Sequence, residues 1–132
     1  MIATVTVKTP AHSAMVDITP SVSGKVRESG VQEGCCIVYV PHTTAGITIN
    51  EGADPDVVVD ILAALDKLVP WKGAWRHSEG NSAAHVKTAL MGGSVHVIIE
   101  GGQLLLGTWE RIFFCEFDGP RTRKVHIKIM NG

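Results

Sequence analysis

Charge is scarce in this sequence. Only 19% of the 132 residues are Asp, Glu, Lys or Arg, below the quarter usual in soluble domains. The 12 basic and 13 acidic side chains nearly cancel, so no nucleic-acid partner held by bulk electrostatics is expected. No run approaches the ~18 consecutive apolar residues of a membrane span. Met1–Thr4 begins a strand-like alternation in place of a signal peptide, so no membrane association is expected. Cysteine is limited to Cys35, Cys36 and Cys115, with no CxxC spacing. That odd count speaks against a disulfide framework and a thiolate zinc site, and fits reduced thiols in a cytoplasmic protein. Also missing are GxxxxGK[ST], GxSxG and GxGxxG. Their absence argues against a P-loop, a hydrolase nucleophile elbow and a dinucleotide fold.

Apolar residues are plentiful. They make up 45% of the chain, with a mean hydropathy of +0.17. A chain of 132 residues is expected to form one domain, residues 1–132, with a core large enough to need no staples. With so little charge to cover the surface, buried contacts between subunits are also expected.

The patterns are those of an antiparallel α+β domain, sheets packed face to face in a sandwich with two or three helices inserted. Residues 2–8 alternate, with Ala3, Val5 and Val7 on one face, and predict a half-buried strand. A short strand at Met15–Ile18 leads to Thr19-Pro20, an N-cap followed by proline at the first helical position. Val22 and Val26 should face inward, with Gly30 as the stop. Residues 35–40 are apolar on both faces and predict a central strand. Asp54-Pro55 repeats the start signal and opens a helix with the stripe Val58, Ile61, Leu62, Leu65, Leu68, Val69. Residues 71–81 have no period. Ser82 caps a short third helix to Met91, with Ala83, Val86 and Leu90 inward. Strands follow at Ser94–Ile99, Trp109–Phe117 and Lys124–Met130, the first turned by Gly101-Gly102.

Chemistry concentrates in residues 41–56. These hold His42, Thr43, Thr44, Thr48, Asn50, Glu51, Asp54 and Asp56. So many polar groups suit the rim of a scaffold better than a core, where each would need a partner. A strand ending at His42 and another delivering Asn50 and Glu51 to the same end would build such a rim. His77 and His85 lie near breaks between elements, as His42 does, and are separated from the three other histidines on that ground. Their spacing matches no zinc signature. Asp54 is accounted for as an N-cap and Asp56 as a first-turn charge, whereas Glu51 has no such structural role. Arg121 and Arg123, two apart across a Gly-Pro turn, suit capture of an anionic group through bidentate hydrogen bonds.

These motifs together resemble one family. Ser94-x2-Val97-x-Ile99-x2-Gly102-x4-Gly107-Thr108-Trp109-Glu110-x-Ile112 resembles the C-terminal signature of the YjbQ-like proteins, the secondary thiamine-phosphate synthase family. His42-Thr43-Thr44-Ala45, Asn50-Glu51, Asp54-Pro55, His77, Glu79-Gly80 and His85-x-Lys87 match further family segments in order. The segment Trp71–Arg76 departs from the family: it is short and aromatic where many relatives carry a longer polar insert. The resemblance implies a compact antiparallel sandwich assembled as a homotrimer. It also implies joining of a pyrimidine diphosphate to a thiazole phosphate with release of pyrophosphate, a reaction thought to be secondary. On these grounds His42, Glu51 and His85 are assigned catalytic roles. Thr43, Thr44, Asn50, Lys87, Arg121 and Arg123 are assigned to a phosphorylated small-molecule substrate. His42, His77 and His85 are assigned to a divalent metal, magnesium or zinc. The alternative is a non-catalytic trimer that binds an anionic metabolite or a partner protein.

Overall fold

A computed structural model describes residues 1–132. The chain forms eight strands and three helices: β1 Ile2–Lys8, β2 Ala14–Asp17, α1 Thr19–Ser29, β3 Glu33–Tyr39, β4 Ala45–Glu51, α2 Pro55–Leu68, α3 Ser82–Met91, β5 Ser94–Glu100, β6 Gln103–Leu104, β7 Glu110–Glu116 and β8 Thr122–Asn131. The strands make a five-stranded sheet, β1-β8-β3-β5-β6, and a three-stranded sheet, β2-β7-β4. All pairings are antiparallel, so this is the expected α+β sandwich.

The core lies between the sheets. Cys36, Val38, Val125, Ile127 and Ile129 point into it from the larger sheet, Ile47, Ile112 and Phe114 from the smaller, and Val22 and Val26 from α1. Burying each of those two helix valines stabilises the fold by about 1.5–3 kcal/mol. Strand β7 is apolar on both faces because both are covered. Ile112 and Phe114 face the main core, while Phe113, Cys115 and Phe117 face outward toward Val58, Leu62 and Leu65 of α2 and Ala84 of α3. Strand β3 is central, flanked by β8 and β5, as its apolar run predicted. The β5–β6 hairpin turns at Gly101 and Gly102, with φ of 59° and 76°. No helix is long and apolar enough to cross a membrane.

The helix starts and faces depart from expectation in four places. Thr19 is the first residue of α1 and not its cap. Its Oγ1 turns inward to accept the Ile112 N–H at 2.7 Å, and Asp17 accepts the Thr19 N–H at 2.9 Å instead. Neither Ser82 nor Asn81 caps α3 through its side chain. The α3 helix is also rotated: Ala83, Ala84 and Lys87 are buried, whereas Val86 and Leu90 are exposed. Small alanines let the helix lie close to the sheet, and that overrides the apolar pattern. Finally, α2 has no fully buried residue, and Leu68 at its end is 74% exposed. Its cap is as expected, with Asp54 accepting the Asp56 N–H at 2.9 Å.

Candidate active site at one end of the sandwich

Five strand ends converge at one end of the molecule. Lys8 of β1 pairs with Thr122 of β8, while Ala14 of β2 and Ala45 of β4 both pair with Glu116 of β7. Polar side chains from each end meet there. Glu116 is fully buried and Arg123 is 5% exposed. The Arg123 guanidinium grips the Glu116 carboxylate with two nitrogens, Nε to Oε1 at 2.8 Å and an Nη to Oε2. The same Nη donates to Thr44 Oγ1 at 2.9 Å. Glu116 accepts in addition from the Thr9 hydroxyl at 2.8 Å and the Asp118 N–H at 3.0 Å. Burial alone would raise the Glu116 pKa, but bonds from Arg123, the Asp118 amide and Thr9 outweigh it and hold the carboxyl below its ordinary value. Gly119 is needed at this crowded turn, since a Cβ there would sit 2.4 Å from the Ala11 carbonyl oxygen.

His42 stands beside this pair, half-buried. Its Nε2 accepts the Lys124 backbone N–H at 2.9 Å. An amide can only donate, so Nε2 carries the lone pair and Nδ1 carries the proton of the neutral ring. Burial first, then the Arg123 charge, lowers the His42 pKa below 6.5. His42 is therefore a neutral imidazole near pH 7, with a fixed tautomer and an N–H to offer.

Asp118 links this cluster to α3. It accepts from Asn81 Nδ2 at 2.9 Å and from Arg121 at 2.9 Å, and His12 Nε2 lies 3.8 Å from its other oxygen. Asn81 Oδ1 is buried without a partner. One helical turn beyond Asn81, His85 meets His77 edge to face, with ring centroids 5.3 Å apart. Both line an open cavity of about 350 Å³ together with Arg76 and Ser82. Arg76 has no carboxylate partner in the chain, unlike Arg121 and Arg123.

The remaining predicted residues divide. Thr43 is exposed and Thr44 buried at the site. Asn50 and Glu51 are carried away from it, contrary to expectation: β4 begins beside His42 and runs seven residues, Ala45–Glu51, about 20 Å at ~3.4 Å per residue. They pair with Arg111 and Glu110 at the opposite end. Arg121 and Arg123 do not form a matched clamp either. Arg121 lies just before β8, exposed and tied to Asp118, whereas Arg123 is committed to Glu116, because on β8 it shares the core-facing side with Val125, Ile127 and Ile129. Lys87 is 2% exposed, with its ammonium on Asp66 and over the Phe117 ring at 5.9 Å. No three His, Cys, Asp or Glu side chains gather to hold a metal within the chain, so His42, His77 and His85 do not form one ligand set there.

Glu116 is the member that sequence reasoning missed. Its signal was a lone carboxylate inside Ile112-Phe113-Phe114-Cys115-Glu116-Phe117, since a charge in such a run needs a buried partner. Arg123, in phase with Val125, Ile127 and Ile129, was the partner to look for.

Comparison with known proteins places this geometry. The model of the UPF0047 protein YjbQ-like family matches residues 3–132. The chain is 53% identical to the UPF0047 protein YugU of Bacillus subtilis, covering 98% of this chain and 99% of that one. It is 52% identical to the UPF0047 protein MJ1081 of Methanocaldococcus jannaschii, over 94% and 90% of the two chains. An uncharacterised family protein from Clostridium acetobutylicum superposes with a TM-score of 0.95 at 55% identity, covering 97% and 99%. A protein of unknown function from Sulfolobus solfataricus gives 0.95 at 31% identity, covering 100% and 97%. Matches spanning nearly the full length of both sequence and fold leave one conclusion: the chain belongs to the YjbQ/UPF0047 family.

Proposed function

We propose that this protein is a small-molecule enzyme acting on phosphorylated substrates, with the thiamine-phosphate synthase-like reaction as its working activity. The observation that supports it best is the cavity in which His77 and His85 stand ring to ring beside the unpaired Arg76. Joining a thiazole nitrogen to a pyrimidine methylene needs no strong base, because the nitrogen lone pair is free. The demand falls on pyrophosphate departure, whose developing charge must be neutralised or protonated. In this reading Arg76 and Arg121 take phosphate oxygens, and His85 protonates the leaving group. Arg123 serves from behind, holding Thr44 and adding its charge to the burial that keeps His42 neutral. His42 then donates its Nδ1 hydrogen to the substrate.

A divalent metal belongs to the same reading, but the protomer does not fit one by itself. Two imidazoles are one short of the three protein ligands of a catalytic zinc. No step is therefore assigned to a metal. The proposed homotrimer bears on this, because a second subunit could complete the cavity; the uncovered apolar side chains of α2 support such an assembly.

The test is release of pyrophosphate, followed by phosphorus NMR, from a pyrimidine diphosphate and a thiazole phosphate. Wild type should turn over, and His85→Asn or Arg76→Gln should lose roughly 10²–10³ in rate, the usual cost of one transition-state donor. Variants as fast as wild type would overturn the assignment. Saturable binding without turnover would favour a non-catalytic anion-binding protein.

A further inference from the structure

A second cavity, of about 330 Å³, opens where α1 faces the β6–β7 connection and the start of β7. It contains none of the histidines. Its walls are mostly polar, with Leu104 and Leu106 the two apolar contributions. The state of each polar group there is informative. Arg27 has no carboxylate within ion-pair range and no hydrogen-bond acceptor in the chain, whereas Arg111, Arg121 and Arg123 each have a carboxylate. Arg111 spends only its Nε, on Asp17 at 2.7 Å, so both terminal nitrogens are free. Thr19 is 5% exposed, and its hydroxyl is already committed, accepting from Ile112 and bonding the Asp17 carboxylate. The single carboxylate lining the cavity, Glu110, already accepts the Gly107 N–H at 2.8 Å.

The unused donors are the Arg27 guanidinium and the Arg111 terminal nitrogens, groups suited to oxyanions. Arg111 is also a placed group. Its stem lies against the backbone at residue 52, where a Cβ would come within 2.1 Å of Arg111 Cγ, so glycine is required there. With Asp17 pinning Nε, the guanidinium is held before any ligand arrives, which lowers the ordering cost of binding. We infer that this cavity is a binding site for a small oxyanion, a phosphate ester or a carboxylate, held by Arg27 and Arg111. The site is separate from the histidine end and independent of the activity proposed for it.

Amide NMR titration with inorganic phosphate, and in a parallel series with acetate, at fixed ionic strength, tests this. We expect saturable shifts at residues 102–108 and around Thr19. Phosphate alone marks a phosphate site, acetate alone a carboxylate site, and both a general oxyanion site. Arg27→Gln, which removes no ion pair or side-chain hydrogen bond of the fold, should keep the melting temperature within a few degrees and weaken binding about tenfold or more, as for loss of a charged hydrogen bond. Arg76→Gln, at the other cavity, should leave these shifts intact. Failure of both anions to shift residues 102–108, or equal binding by Arg27→Gln, overturns the inference. Shifts confined to residues 75–86 would do the same while leaving the histidine site standing.

Discussion

At the residue scale the decisive pair is Glu116 with Arg123. A carboxylate fully withdrawn from water survives as an ion only because four hydrogen bonds, two of them from a guanidinium, replace the solvent. Glu116→Gln would leave Arg123 buried without its counter-charge, and we expect a loss of about 3–5 kcal/mol in denaturant unfolding at neutral pH. The pH dependence follows from the depressed carboxyl pKa. The stabilisation is complete above the unfolded value of ~4.3 and is lost as pH falls through the lower folded value. The gap between wild type and Glu116→Gln should therefore narrow on acidification; a constant gap would show that the charge is not responsible. His42 gives a second prediction. Its folded pKa lies below 6.5, so just below that pH the unfolded chain takes up a proton that the folded chain refuses, and stability declines. NMR titration should show a His42 midpoint below 6.5, with the Lys124 amide moving in step as the Nε2 hydrogen bond is lost. A midpoint at or above the ordinary value would contradict this account of its environment.

At the element scale, α3 is the clearest case of packing overriding pattern. Its buried face is alanine, alanine and lysine. The Lys87 ammonium reaches back to Asp66 and so ties α3 to α2. The partners are not equivalent, because Lys87 is buried and Asp66 is 65% exposed. Asp66→Asn leaves a buried cation without its counter-charge and should cost about 1–3 kcal/mol. Lys87→Met fills a similar volume and returns Asp66 to water, so it should cost less than about 1.5 kcal/mol. Urea titrations of the two variants check the order; the reverse order would mean that Lys87 is stabilised by Phe117 packing more than by charge. Strands were easier to read than helices, since an alternation of two such as Val125, Ile127, Ile129 leaves no doubt about the inward face.

At the scale of the whole molecule, apolar surface is left over. Val59, Leu68, Val86 and Leu90 are all exposed helix residues, more than a chain with 19% charged residues readily keeps in water. The proposed trimer should sediment at three times the 14.1 kDa chain mass, and Leu68→Glu should shift it toward monomer while preserving the circular dichroism of the protomer. A wild-type monomer at micromolar concentration would remove the trimer from the functional reading.

Local rules determined much from the sequence. The strand periods, the Asp54-Pro55 helix start, the Gly30 stop, the Gly101-Gly102 turn and the family motifs all depend on neighbours a few positions away. Which end of the sandwich a side chain reaches does not. Glu51 and His42 are nine positions apart in sequence, but β4 crosses the molecule between them. Glu116 and Arg123 meet only because β7 and β8 belong to different sheets stacked over one core. The same closure turned Arg123 from a surface anion ligand into a buried counter-ion. Burial and charge pairing are properties of the packed whole, so the tertiary structure alone decided which predicted groups could share a site.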